Sequence, residues 1–115
     1  MGSFKKIAGI VMKKILESGT IVYEDDSGLF HRLDGPAIEY ANGNKEWYVN
    51  GERHRLDGPA VEYNDGYKEW YMNDNIHRID GPAIIHSDNE VFYFLNGIEY
   101  SFKEWDRLRK LQVLL

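Results

Sequence analysis

The heptad His-Arg-Leu-Asp-Gly-Pro-Ala occupies residues 31–37 and returns unchanged at 54–60. A third copy at 77–83 differs only in having Ile79 in place of Leu. A 23-residue period held three times in a 115-residue chain excludes most globular folds. One such unit is too short to bury a core alone, so successive units must stack. The units read HRLDGPAIEYANGNKEWYVNGER, HRLDGPAVEYNDGYKEWYMNDNI and HRIDGPAIIHSDNEVFYFLNGIE, starting at His31, His54 and His77. Residues 20–30 look like a worn half-unit, with Gly28 in register with Gly51.

Inside each unit the punctuation is that of β-hairpins. Asn42-Gly43, Asn50-Gly51, Asp65-Gly66 and Asn96-Gly97 are turn dipeptides whose residues tolerate positive φ. The spacing predicts paired strands over 37–40 with 45–49, 60–63 with 68–72, and 83–86 with 91–95. Pro36 can open a strand because it need not donate to the ladder there. Alternation then predicts two faces. Ile38, Tyr40, Trp47 and Val49, with Val61, Tyr63, Trp70 and Met72, are expected in the core. Glu39, Glu46, Tyr48, Glu62, Glu69 and Tyr71 are expected to point outward. In the third unit the outward positions are Ile85, Phe92 and Phe94, which need a cover.

The ends supply candidate covers. Ser101 and Glu104 in SFKEW form a capping-box pattern. Phe102, Trp105, Leu108, Leu111 and Leu115 then recur on one side of a helix, expected to fold back over the third unit. Phe4, Ile7, Val11 and Ile15 have helical spacing and predict an N-terminal helix over 4–17 that closes the other end. The fold class expected is therefore mostly β with terminal helices. It is one domain over 1–115, with an N-terminal helix in 1–19, an antiparallel meander of three hairpin repeats in 20–100 and a capping helix in 101–115.

Charge divides along the same boundaries. Residues 20–100 carry six Lys or Arg against sixteen Asp or Glu, whereas both ends are net basic. An acidic body repels nucleic acid and favours a basic protein partner; the basic ends leave self-association into a homo-oligomer open. There is no Cys, so disulfides and thiolate metal sites are excluded. The apolar run Ile7–Met12 is too short for a secretory signal, and a cytoplasmic location is expected. A membrane role is not expected, because one short lysine-rich helix is a weak membrane signal.

The stretch EWYVNGERHRLDGPAVEYNDG, residues 46–66, resembles the MORN-type family of short β-hairpin repeats, with its aromatic-x-x-Asn-Gly turns. It is closer to a variant with units W-Y-x-N-G-x-x-H-R-x-D-G-P-A, met in phage, giant-virus and bacterial proteins. The ending NGIEYSFKEW is similar to the terminator of such arrays. The resemblance covers about 21–110 and implies a single-layer hairpin sheet used as an interaction surface. It also implies, for a phage-type chain, an accessory protein or host-defence inhibitor acting in the host cytoplasm. Asp-Gly-Pro stands where the better-known repeat has Gly-x-Gly, so lipid binding is not carried over.

The repeated His, Arg and Asp invite a chemical reading. Equivalent residues lie two strands apart, roughly 10 Å. Three histidines at that pitch cannot share one metal ion, whose ligand bonds are near 2 Å. Glu39 and Glu62 in matching environments would not separate their pKa values, as acid–base catalysis requires. No strained serine elbow is present. The expectation is a non-enzymatic protein with no catalytic residues, metal or cofactor. Its partner-binding strip is Glu39, Glu46, Tyr48, Glu62, Glu69 and Tyr71. An alternative is a small anionic ligand or nucleotide held by Arg32, Arg55 and Arg78, and another is a structural assembly unit. The heptad itself is read as the joint of the fold. Leu33, Leu56 and Ile79 are expected to anchor it in the core. Gly58 is expected at positive φ, so that Gly58→Val unfolds the middle of the array.

Overall fold

Turn length sets the faces of this protein. A computed structural model describes residues 10–113. In chain order the strands are β1 (Val11–Ile15), β2 (Ile21–Asp25), β3 (Ile38–Glu39), β4 (Lys45–Glu46), β5 (Tyr48–Val49), β6 (Glu52–Arg53) and β7 (Val61–Glu62). Then follow β8 (Lys68–Glu69), β9 (Tyr71–Met72), β10 (Asn75–Ile76), β11 (Ile84–Ile85), β12 (Val91–Leu95) and β13 (Ile98–Tyr100), and helix α1 (Phe102–Val113). Nine strands form one open antiparallel sheet in the order β1-β2-β3-β4-β7-β8-β11-β12-β13. The pairs β5-β6 and β9-β10 leave this sheet as separate two-stranded ribbons.

The hairpin β3-β4 pairs Ile38 with Glu46 and Glu39 with Lys45. Its turn closes where Tyr40 N–H donates to Asn44 O, with Gly43 at φ +94°. The loop thus has three residues, not the two that Asn42-Gly43 suggests. One added residue flips every side chain of the second strand. Ile38 therefore shares a face with Glu46, and the expected sorting of core and outward residues fails. The hairpin β7-β8 has the same register, pairing Val61 with Glu69.

The N-terminal helix is also corrected. Val11–Ile15 is a strand, paired with β2 from Val11↔Asp25 to Ile15↔Ile21. Of the rest, Ile10, Leu16 and Glu17 are not helical either, and residues 4–9 lie outside the described residues. A short segment with two β-branched ends suits a strand as well as a helix turn, and pairing with Ile21–Asp25 decides it. Lys13 and Lys14 on this edge strand discourage further pairing.

Trp47 is the point where the chain changes layers. Its N–H donates to Ala60 O at 2.7 Å in the main sheet, while its C=O accepts from His54 N–H at 3.3 Å in the ribbon. Trp70 repeats this with Ala83 and His77, and Tyr23 with Ala37 and His31. The heptads cross back between layers. Ala37, Ala60 and Ala83, their last residues, are wholly buried. Each donates its N–H across the hairpin it opens, to Glu46 O, Glu69 O and Phe92 O respectively. The core is made of these alanines with Val22, Ile38, Val61, Leu95 and Trp105.

Helix α1 ends the array. Ser101 Oγ accepts from Glu104 N–H at 3.3 Å. The Glu104 side chain pairs with Arg107 rather than reaching back, so half of the capping box forms. The buried Trp105 stacks on Tyr93 with centroids 4.7 Å apart, and its Nε1–H donates to Arg78 O at 2.9 Å. Tyr93 alternates with Phe92 and Phe94 along β12, so the ring that α1 covers belongs to the other side-chain row from the one expected. The particle is flat, 59 × 36 × 18 Å, with a radius of gyration of 16.8 Å. A spherical domain of this length would have about 13 Å.

Candidate functional site

Each heptad closes a small loop around its own arginine. Arg55 Nε donates to Asp57 Oδ1 at 3.1 Å, and its Nη1 donates to Pro59 O at 3.0 Å and Glu62 Oε1 at 3.2 Å. The guanidinium carbon lies 3.9 Å from the ring centre of Trp47. A Cβ on Gly58 would fall 2.8 Å from that same carbon on the loop side. The cation is thus sandwiched between an indole face and a glycine. Arg32 repeats the arrangement with Asp34, Pro36, Glu39, Gly35 and Tyr23, and Arg78 with Asp80, Pro82, Gly81 and Trp70. Gly58 leaves room for this close approach, and, against expectation, it is not among the residues at positive φ.

The aromatic row Tyr23, Trp47, Trp70 and Tyr93 runs through the array. The first three carry Arg32, Arg55 and Arg78 on their faces. Ser101 stands where a fourth arginine would fall in the period. Trp105 covers Tyr93 instead, and Arg109 then lies over Trp105. The helix substitutes for the missing arginine.

The histidines buttress the next turn. Asn50 N–H donates to His31 Nδ1 at 2.9 Å, Asn73 N–H to His54 Nδ1 at 3.0 Å, and Asn96 N–H to His77 Nδ1 at 2.9 Å. The turn residues Asn50-Gly51, Asn73-Asp74 and Asn96-Gly97 all have positive φ, as a two-residue hairpin loop demands. An accepting Nδ1 has no proton, so each ring carries its proton on Nε2. Burial pushes the pKa of His77 down.

With Arg, Gly and Ala used internally, the loop's leucine turns outward. Leu33 is 79% and Leu56 80% exposed, and Ile79 is also exposed, so none anchors the core as expected. The neighbouring Asp34, Asp57 and Asp80 side chains are 88%, 87% and 80% exposed. These residues form ridges, and grooves lie between them. One groove of about 590 Å³ runs from Leu33 and Asp34 to Leu56 and Asp57 over Trp47, Val49 and His54. The next, about 610 Å³, runs from Leu56 to Ile79 over Trp70, Met72 and His77. A smaller one of about 360 Å³ lies before Leu33, over Tyr23 and His31. The signal for this outward turn is local: a leucine held between a committed arginine and an Asp-Gly-Pro turn has no neighbour to pack on.

The expected Glu and Tyr strip is divided between the two faces. Glu39 and Glu62 lie on the arginine side, in a cross-strand row with Lys45 and Lys68. Glu46 lies on the other face, 4% exposed, and accepts from Arg53 Nη2 at 3.0 Å and Tyr48 OH at 2.9 Å. Glu69 shares that face and accepts from Tyr67 OH. Tyr48 and Tyr71 flank Arg53, whose guanidinium carbon lies 5.8 and 5.4 Å from their ring centres. Burial, then the Glu46 hydrogen bond, push the Tyr40 hydroxyl up to about 12. Burial and Glu69 likewise raise Tyr67. Burial opposes the charge on Arg53, but the hydrogen bonds it donates to Glu46 and Tyr48 outweigh that and raise its pKa. Arg53 was not among the expected site residues; the visible sign is that Ile76 replaces it in the next unit, so its role belongs to one unit alone.

For the anionic-ligand alternative, Arg32, Arg55 and Arg78 are in place along one face, but each spends Nε and Nη1 on its own loop. Among the described residues no cluster of three His, Asp or Glu is placed to hold a metal ion. No helix among them is long and apolar enough to cross a membrane. In comparisons with known proteins the chain matches no family model, no curated protein and no solved structure.

Proposed function

We propose that this chain is a non-enzymatic protein-interaction module, a three-unit hairpin array of the MORN-like kind. Its docking face is the grooved side formed by the heptads. The observation that supports this reading is the exposure of Leu33 and Leu56, 79% and 80%, at equivalent places in two identical heptads. A residue that only maintained the fold would be covered. A repeated, uncovered leucine beside an exposed carboxylate is what a docking ridge needs: apolar area for affinity and charge for orientation. The Glu39 and Glu62 part of the expected strip borders the same side, where Arg32 and Arg55 pair with it and Lys45 and Lys68 alternate with it. This reading takes the partner to be a protein with a basic surface, met in the cytoplasm.

The test is retention of partners from a lysate of the producing cells on three immobilised proteins. These are the wild type, Leu33→Glu/Leu56→Glu, and Glu39→Lys/Glu62→Lys. A protein held by wild type and lost from the leucine variant supports the ridge. Loss only from the second variant moves the docking surface to the glutamates. If the wild type retains nothing, the interaction reading is rejected.

A further inference from the structure

Building on that reading, we infer that the grooves accept a basic, proline-rich segment in the polyproline II conformation, one helical turn per groove. The argument begins with pitch. Successive heptads belong to units two strands apart in the sheet, so the grooves repeat at about 9.6 Å. A polyproline II helix has three residues per turn and rises about 9.3 Å in that turn. Residues i, i+3 and i+6 then point the same way and meet three successive grooves. A β-strand covers a similar distance in three residues, but its side chains alternate and every second groove would face the wrong side chain.

The groove chemistry agrees. Leu33 and Leu56 wall the first full groove, with Trp47 and Val49 on its floor. Such a slot suits a proline ring. His54 lines the same groove and His77 the next. Their Nδ1 atoms are engaged, so Nε2–H is the donor each ring retains. A polyproline II backbone has unpaired carbonyls to receive it, whereas an α-helix has spent its own. Asp34, Asp57 and Asp80 each pair through Oδ1 with their own arginine but stay exposed, and they recur at the groove lips once per turn, where a lysine or arginine at every third residue would meet the carboxylate's solvent side. The lip carboxylates and the register therefore select the same ligand.

The experiment titrates full-length protein with three peptides and follows tryptophan fluorescence. The first has three Pro-Pro-Lys triplets. The second has the same composition as a block of six prolines and three lysines. The third is a Leu/Lys helix with a seven-residue repeat, whose rise of about 10.5 Å per repeat also approaches the groove spacing. The triplet peptide is expected to bind at least tenfold more tightly than either control. Leu33→Glu/Leu56→Glu is expected to weaken it at least tenfold even though the variant adds negative charge. Pure charge attraction would strengthen instead, which makes this variant decisive; its two sites are exposed, and a melting curve checks that it folds. Equal binding of the block peptide, tighter binding of the helix, or no binding at millimolar peptide overturns the inference. If a lysate partner still depends on the ridge while the triplet peptide fails, only the polyproline assignment falls. If the wild type also retains nothing, the interaction reading falls with it.

Discussion

The two faces of the sheet handle charge in opposite ways. On the heptad face, Arg32, Arg55 and Arg78 occupy near-identical loops, and Glu39, Lys45, Glu62 and Lys68 alternate across the strands. On the tyrosine face a single carboxylate, Glu46, is buried against a single Arg53. The first face is modular: every unit closes its own loop. The second is particular to one unit, because Ile76 and Phe92 replace Arg53 and Glu69 one period on. Periodicity in this chain therefore marks how the backbone is joined, and departures from it mark where a unit depends on its neighbour.

The sharpest way to break the modular face is Gly58→Val. A Cβ there meets the Arg55 guanidinium at 2.8 Å and must push it off Trp47. Loss of the stack, two loop hydrogen bonds and local packing should cost about 3 kcal/mol or more in a denaturant melt. Gly58→Ala should show most of the same loss, since the clash needs only one methyl.

The particular face breaks at Arg53→Ala, which strands a buried Glu46 and should cost about 3 kcal/mol at neutral pH. Urea melts of the variant beside wild type read this loss directly.

A smaller effect separates the histidines from both faces. His54→Ala removes the acceptor for Asn73 N–H and should cost about 1 kcal/mol, with the loss appearing as faster hydrogen exchange at that amide. His77 adds a pH signature. Its folded pKa lies below the unfolded value, so the unfolded chain takes up the proton first. Its stabilisation is full above the unfolded pKa of about 6.5 and is lost as the pH falls through the lower, folded value. His77→Gln should flatten that part of the stability–pH curve.

Much of the architecture is legible in the residues. The 23-residue period, the hairpins and the C-terminal helix follow from repeated motifs, turn dipeptides and a capping serine. What misleads is local and physical. Asn42-Gly43 reads as a two-residue turn, but Tyr40 and Asn44 close a three-residue one, and the single extra residue exchanges the faces of Glu46 and Trp47. Val11 and Ile15 fit helical spacing until Ile21–Asp25 is available as a partner. Leu33 and Leu56 carry the strongest apolar signal in the heptad and yet lie in solvent, because Arg, Gly and Ala fill the loop's interior. Hydrophobicity alone does not report which side of a crossing loop a residue takes.

The central claim is that the heptad has an inner half that joins the fold and an outer residue that does not. The most direct measurement is the melting temperature of Leu33→Glu/Leu56→Glu beside wild type. Both leucines are largely exposed, so the variant should melt within about 3 °C of wild type, in a cooperative transition. A fall of 10 °C or so, equivalent to about 2 kcal/mol, would place the leucines in the core and contradict the account.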